Sequence, residues 1–173
     1  MNAEDKSSCI VLTYARVTRR LSGRIRQTND GRPTTNDYMK KNDLKRQLSE
    51  AITACQEKQA GEITILELDQ QSGAFTDYFV VCSGTNPRQI QAISDEVEER
   101  LEKVGQRPTH IEGYKQAEWV LLDYVDFVVH VFSEKARKFY DLERLWKSAK
   151  RLEPSELVKT KRTAARGVTK KRA

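Results

Sequence analysis

The stretch whose residue types could perform chemistry is the short loop SGTNP at residues 83–87. It follows an apolar run that predicts a β-strand, and it precedes a segment with helical spacing. Backbone amides at such a strand-to-helix turn can bind a phosphate group. The stretch matches neither of the two glycine-rich phosphate motifs, GxGxxG and GxxxxGKS/T. A nucleotide-binding loop is therefore one interpretation, and an ordinary turn that begins a helix is the other.

Nucleotidyl transfer would also need two neighbouring carboxylates to hold a divalent metal ion against a triphosphate. The sequence contains no closely spaced DxD pair in this region. Asp69 and Asp77 flank one predicted turn, and Asp123 and Asp126 flank another. Isolated acids in such places are more often turn formers. We therefore predict a protein that is not an enzyme.

Histidine and cysteine offer little for a metal site or a thiol nucleophile. The only histidines are His110 and His130, and the three cysteines are widely separated without a CxxC spacing. Cys82 ends an apolar strand, where a small core residue is the simplest interpretation. We expect no metal and no cofactor. The cysteines are odd in number and show no spacing pattern, which favours a protein of the reducing cytoplasm. The lack of a long apolar run predicts no membrane anchor.

Aromatic residues interleaved with acids are more informative. This mixture is typical of a protein-binding hot spot that faces a basic partner, although the same rings could all belong to the core. The residues alone leave both interpretations open. The rings are Trp119, Tyr124, Tyr140 and Trp146, and the nearby acids are Glu112, Asp123, Asp141 and Glu143.

Charge divides the chain into three parts. The net charge is +6, yet residues 40–153 carry 17 Lys and Arg against 20 Asp and Glu, so the basic excess lies in the two ends. Residues 1–39 lack periodicity and predict a disordered extension, with an organelle targeting segment or a true start at Met39 as alternatives. Residues 154–173 predict a disordered basic tail that either contacts RNA phosphates or only aids solubility.

The elements that must position these residues centre on EWVLLDYVDFVVHVF at residues 118–132, which predicts a hairpin of two strands. Apolar residues on both faces of this hairpin require helices on both sides of the sheet. The prediction is an α/β (α+β) domain with a mixed sheet of about five strands flanked by helices. The other predicted elements are a helix from about 43 to 60 ended by Gly61, strands 63–68 and 75–82 around a turn at 70–73, a helix 88–104, an edge strand 108–112, and a last helix 133–151 ended by Pro154.

Several segments together resemble the Iojap family, the ribosomal silencing factors. They are DYFVVCSGT at 77–85, RQIQAI at 88–93, EG at 112–113, EWVLLDY at 118–124, VVHVF at 128–132 and FYDLERLW at 139–146. The similarity covers about residues 43–151 and keeps the order and spacing of these motifs. It does not extend to the N-terminal segment or to the basic tail.

The resemblance implies a nucleotidyltransferase-like fold without catalytic carboxylates. It also implies binding to the large ribosomal subunit through the fourteenth large-subunit ribosomal protein. This binding would block joining of the small subunit when nutrients are limiting. The free protein could form a homodimer through the same surface, and the tail could touch ribosomal RNA. The residues that the resemblance assigns to partner binding are Asp77, Glu112, Trp119, Asp123, Tyr124, His130, Tyr140, Glu143 and Trp146.

The main alternative is a nucleotide- or RNA-binding enzyme of the nucleotidyltransferase type that uses the loop at residues 83–86. Binding of ATP with magnesium would favour it. A general RNA-binding module would instead lose its affinity when the basic tail is removed, and the acidic balance of residues 40–153 disfavours that module.

Overall fold

The computed structural model describes residues 35–69 and 76–158. Strands β1 to β6 span, in chain order, Gly61–Glu67, Tyr78–Gly84, His110–Glu112, Trp119–Asp123, Phe127–Ser133 and Lys150–Leu152. Helices α1 to α5 span Thr35–Glu57, Pro87–Lys103, Glu134–Tyr140, Leu142–Leu145 and Pro154–Leu157. None of the helices in these two ranges is long and apolar enough to cross a membrane.

The described strands form one mixed sheet in the order β3-β4-β5-β2-β1-β6. β2 and β5 pair in parallel, and the other neighbours pair antiparallel. The predicted α/β class and the central hairpin β4–β5 are confirmed. The sheet has one strand more than predicted, because β6 is a three-residue edge strand whose Lys150 and Arg151 gave no strand signal.

Both faces of the sheet are apolar and both are covered, as the hairpin sequence predicts. One face, which includes Val80 and Val129, packs against α1 and α2. The opposite face, which includes Phe79 and Phe132, packs against α3 and α4. Alternation along each strand produces this division, since successive side chains point to opposite faces. The aromatic residues of interest lie on the second face.

The first helix differs from its prediction at both ends. It begins at Thr35 rather than near Asp43 and ends at Glu57. Gln59, with φ 56°, takes the left-handed conformation that was expected near Gly61, and Gly61 instead begins β1. The predictions for residues 1–34 and for the turn at 70–73 lie outside the described residues. The strand predicted from residue 75 begins at Tyr78 and continues to Gly84.

The predicted single helix over 133–151 is wrong. Asp141 adopts φ 45° and separates α3 from α4, after which the chain turns into β6. Asp tolerates this left-handed conformation better than most residues, so the break needs no glycine. Pro154 begins the short helix α5 instead of ending the longer one. The chain from residue 159 onward is outside the described part.

Candidate partner-binding surface

A group of half-buried aromatic side chains lies where α3 and α4 cross the second face of the sheet. We define the aromatic surface as Trp119, Tyr140 and Trp146, together with Phe139 and Leu145. The ring centroids of Trp119 and Tyr140 are 4.8 Å apart, and those of Tyr140 and Phe139 are 5.1 Å apart. Phe139 is 40% exposed and Leu145 is 41% exposed, which is unusual for large apolar residues next to a packed core.

Trp119 lies at the start of β4, opposite Phe132 of β5. The indole stacks on the Phe132 ring with centroids 5.0 Å apart. Its Nε1–H donates a hydrogen bond to Nδ1 of His130 over 3.1 Å. The ring is therefore held on its inner side while part of its surface stays open to solvent, as a binding anchor requires.

The loop before Trp119 depends on one glycine. Gly113 has φ +76°, and a Cβ atom on it would lie 1.9 Å from the Trp119 carbonyl oxygen. This oxygen belongs to the backbone of β4, so it cannot move away from a Cβ atom as the tip of a flexible side chain could. The structure therefore ties the conformation of this loop to the position of β4.

Gly113→Ala is expected to reduce the free energy of unfolding by about 1–2 kcal/mol more than Gly105→Ala does. Gly105 is the matched control, because its φ is +84° and a Cβ there would meet nothing within 4 Å. Both substitutions carry the left-handed strain, and only the first adds the clash. Urea unfolding of the two variants measures the difference, and equal losses would contradict the clash.

His130, which the resemblance assigns to partner binding, is fully buried in the middle of β5, so its side chain lies beneath the surface rather than on it. Burial lowers the pKa of His130 to about 3, because no water remains to solvate an imidazolium. The ring is therefore neutral at physiological pH. Its role in the folded protein is to accept the hydrogen bond from Trp119.

Acidification is expected to destabilise the fold through His130. The unfolded chain protonates this histidine near pH 6.5 and the folded protein does not until about pH 3, so stability falls as the pH is lowered through this window. Between pH 7 and pH 5 the contribution is about 2 kcal/mol of unfolding free energy. Urea unfolding should show this extra loss in the wild type and in His110→Gln. It should be absent from His130→Phe, and equal pH slopes in all three proteins would refute the assignment.

Arg137 of α3 ties the aromatic surface to the rest of the sheet. Its guanidinium is almost fully buried and donates to the Glu62 carbonyl oxygen at 2.6 Å, the Ser83 hydroxyl at 2.9 Å and the Thr64 hydroxyl at 3.2 Å. The remaining N–H groups bind one carboxylate oxygen of Glu143 in α4. One side chain thus joins β1, β2, α3 and α4.

This network revises the predicted role of Glu143. The Glu143 side chain is only 15% exposed, and its carboxylate is already bound to Arg137. It is therefore a structural partner of the helix pair rather than a free charge for another protein. Two acids of this region remain more open: Glu112 is paired with His110 at 2.8 Å on the edge strand β3, and Asp141 is paired with Arg144 at 3.0 Å.

Three other predicted residues lie at the opposite end of the sheet. Asp77 precedes β2, Asp123 ends β4 and Tyr124 follows it, roughly 13 to 20 Å from Trp119 along the strands. Asp123 is buried and accepts from the Val125 amide at 2.8 Å, and burial raises the pKa of its carboxyl group. Tyr124 stacks on Phe127 within the core, and burial raises the pKa of its hydroxyl. The structure thus separates these three residues from Trp119, and their contact with a partner stays a prediction.

The loop at residues 83–87 is a helix cap whose polar groups bind one another. Asn86 accepts from the Gln89 amide at 2.9 Å, and the Gln89 side chain accepts from the Thr85 amide at 2.8 Å. A Cβ on Gly84 would lie 2.6 Å from Ile90, so this glycine serves strand-to-helix packing. These contacts favour the capping interpretation over the phosphate-binding one.

The cleft beside this loop is also unsuited to a nucleotide. It has a volume of about 380 Å³ and lies at the carboxyl ends of β2 and β5. A triphosphate there would meet more negative than positive side chains. In the described residues, no three or more His, Cys, Asp or Glu side chains are arranged so that they could hold a metal ion together. The charged residues that line the cleft are Glu62, Glu134, Asp141 and Glu143 against Arg137 and Lys138.

Comparison with known proteins identifies the family of this chain. A family model described as ribosomal silencing factor during starvation matches residues 41–173. The chain belongs to the ribosomal silencing factor family. The match confirms the resemblance found in the motifs between residues 77 and 146. It also includes the basic tail, which the motif resemblance does not reach.

Individual relatives show the same similarity. Ribosomal silencing factor RsfS of Bacillus subtilis is 39% identical over 99 residues, covering 57% of this chain and 83% of the relative. A crystal structure from Bacillus halodurans superposes with a TM-score of 0.54 at 36% identity, covering 62% of this chain and 97% of that one. A mouse protein named mitochondrial assembly of ribosomal large subunit protein 1 is 26% identical over 98 residues, 55% of this chain and 42% of the relative.

The structure brings part of the predicted set of residues together on one face. Trp119, Tyr140 and Trp146 come together, and Glu112 lies on the nearby edge strand. The sequence interpretation missed Phe139 and Leu145 as surface residues. Phe139 lies in α3 and Leu145 ends α4, on either side of the break at Asp141. The available signal was in the segment 133–151. Drawn as one helix, it has apolar residues on more sides than a single face of the sheet can cover.

Proposed function

We propose that this protein binds the large ribosomal subunit through its fourteenth protein, blocks joining of the small subunit, and so represses translation when nutrients are limiting. The observation that carries the proposal is a half-exposed aromatic surface on a domain of the ribosomal silencing factor family. The mouse relative, whose name refers to assembly of the ribosomal large subunit, supports the same partner.

The mechanism is steric and needs no chemical step. Trp119 and its aromatic neighbours supply apolar contact area, and the sheet and helices behind them form a packed domain. A rigid domain docked where the two subunits meet excludes the second subunit by volume alone. The absence of a DxD pair from the sequence around the loop at residues 83–86 is consistent with a regulatory factor rather than an enzyme.

Charge would speed docking without setting its strength. Residues 40–153 are mildly acidic overall, and a ribosomal protein with a basic surface would attract them. The basic tail beyond residue 158 would then contact ribosomal RNA phosphates. In the same proposal the protein acts in the cytoplasm without membrane attachment, and a homodimer formed through the aromatic surface must open before docking.

Sedimentation with purified subunits tests the proposal. The protein should pellet with large subunits and should reduce the yield of joined ribosomes when small subunits are added afterwards. Small subunits alone should not carry it into the pellet. Failure to pellet with large subunits, or pelleting without any loss of joining, would contradict the proposed function.

A further inference from the structure

Trp119 has one directional contact among its neighbours. Its ring contacts with Phe132 and Tyr140 are packing contacts, which tolerate more than one orientation of an indole ring. The hydrogen bond from Nε1–H to Nδ1 of His130 does not, because an indole has a single donor. The orientation of Trp119 therefore depends on this acceptor.

His130 is held rigidly enough to serve as that acceptor. Its backbone lies between Val81 of β2 and Leu121 of β4, so both neighbouring strands fix its position. Its ring meets Phe79 edge-on with centroids 5.0 Å apart. A side chain fixed before docking loses less conformational freedom on binding, and this saving improves affinity.

The acceptor nitrogen is also available at all physiological pH values. A hydrogen bond from Trp119 requires Nδ1 without a proton, which places the proton of the neutral ring on Nε2. Burial keeps the ring in this neutral state, because it lowers the pKa of His130 far below neutrality. The orientation of the indole is therefore a constant property of the folded protein.

We propose that His130 is a positioning residue that holds the Trp119 indole in the orientation that docks on the large ribosomal subunit, without itself touching the partner. The inference rests on the proposed function, because docking is the activity that the orientation serves. It assigns the buried histidine a role that packing alone would not give it.

The resonance is read in the full chain carrying Trp146→Phe, so that Trp119 is the single tryptophan, since the sequence has two. Docking is measured with the same His130 substitutions in the otherwise unchanged chain, because Trp146 belongs to the aromatic surface. His130→Phe fills the site without an acceptor. His130→Asn places an amide oxygen at the same position along the side chain as Nδ1 and keeps the acceptor. The indole N–H resonance in a ¹⁵N-labelled protein reports the hydrogen bond, and sedimentation with large subunits reports docking.

The phenylalanine variant should shift the indole resonance and weaken binding to large subunits by about tenfold. The asparagine variant should restore the resonance and most of the affinity. If the phenylalanine variant binds normally, or if both variants are impaired equally, the positioning role is wrong. If the wild type itself fails to bind large subunits, the proposed function fails, while the resonance still decides whether His130 orients Trp119. Should the phenylalanine variant not fold, His130→Leu replaces it as the acceptor-free variant.

Discussion

Trp119→Ala is expected to weaken binding to the large ribosomal subunit by at least about 2 kcal/mol, or roughly 30-fold in the dissociation constant. The indole is one of the two largest rings of the aromatic surface and packs against both Phe132 and Tyr140. Truncation removes the apolar contact area and also the support that it gives to Tyr140. The loss of binding should be accompanied by loss of the block on subunit joining.

Quantitative sedimentation with a titration of large subunits measures this effect. Val125→Ala is the matched control, because Val125 is 41% exposed but lies in the β4–β5 turn at the opposite end of the sheet. It should bind as the wild type does. Circular dichroism should confirm that both variants are folded at the assay temperature. Unchanged affinity of the Trp119 variant would exclude this residue from the interface.

Arg137→Leu is expected to lower the free energy of unfolding by about 3 kcal/mol or more. Arg137 is the hub that joins β1, β2 and the helix pair, and its removal leaves the Glu143 carboxylate and the Ser83 hydroxyl without their donor. A mostly buried carboxylate without its cation is costly. Urea unfolding monitored by circular dichroism measures the change.

Two further variants separate the buried network from ordinary surface charge. Arg144→Leu removes an exposed ion pair with Asp141 and should cost less than about 1 kcal/mol. Adding Glu143→Leu to Arg137→Leu should recover part of the lost stability, because the unpaired carboxylate is removed as well. A loss for Arg137→Leu as small as that for Arg144→Leu would show that the network does not hold α3 and α4 in place.

The sequence predicted those parts of the fold whose signals are local. The apolar runs in β2, β4 and β5 and the turn at residues 83–87 that begins a helix are readable from neighbouring residues, and they were placed nearly correctly. The strand β6 was missed, because three residues with two charges pair with β1 only after the whole chain has folded. The break at Asp141 was missed because the neighbouring residues contain no glycine or proline that would predict it, and Leu142 after it is buried.

The candidate site was predicted by residue type better than by position. Trp119, Tyr140 and Trp146 were selected as aromatic residues near acids, and they do assemble on one face. Asp77 and Tyr124 were included because they belong to the same motifs, yet strand direction places them at the other end of the sheet. A motif shared with a family shows which residues are neighbours along the chain. Which of them lie on one surface depends on which ends of the strands lie side by side in the sheet.

The parallel pairing of β2 with β5 has a consequence for synthesis of the chain. Tyr78 pairs with Phe127, so β2 leaves the ribosome well before its central neighbour exists. The β1–β2 pair then has two apolar faces and an open edge on β2. The other edge, on β1, stays unpaired until residues 150–152 of β6 have been synthesised. Nascent chains of this kind expose strand edges that can pair with other chains. We therefore expect folding to complete late, after release of the segment up to residue 152. The nascent chain should be most sensitive to chaperone depletion between the emergence of β2 and the release of residue 152.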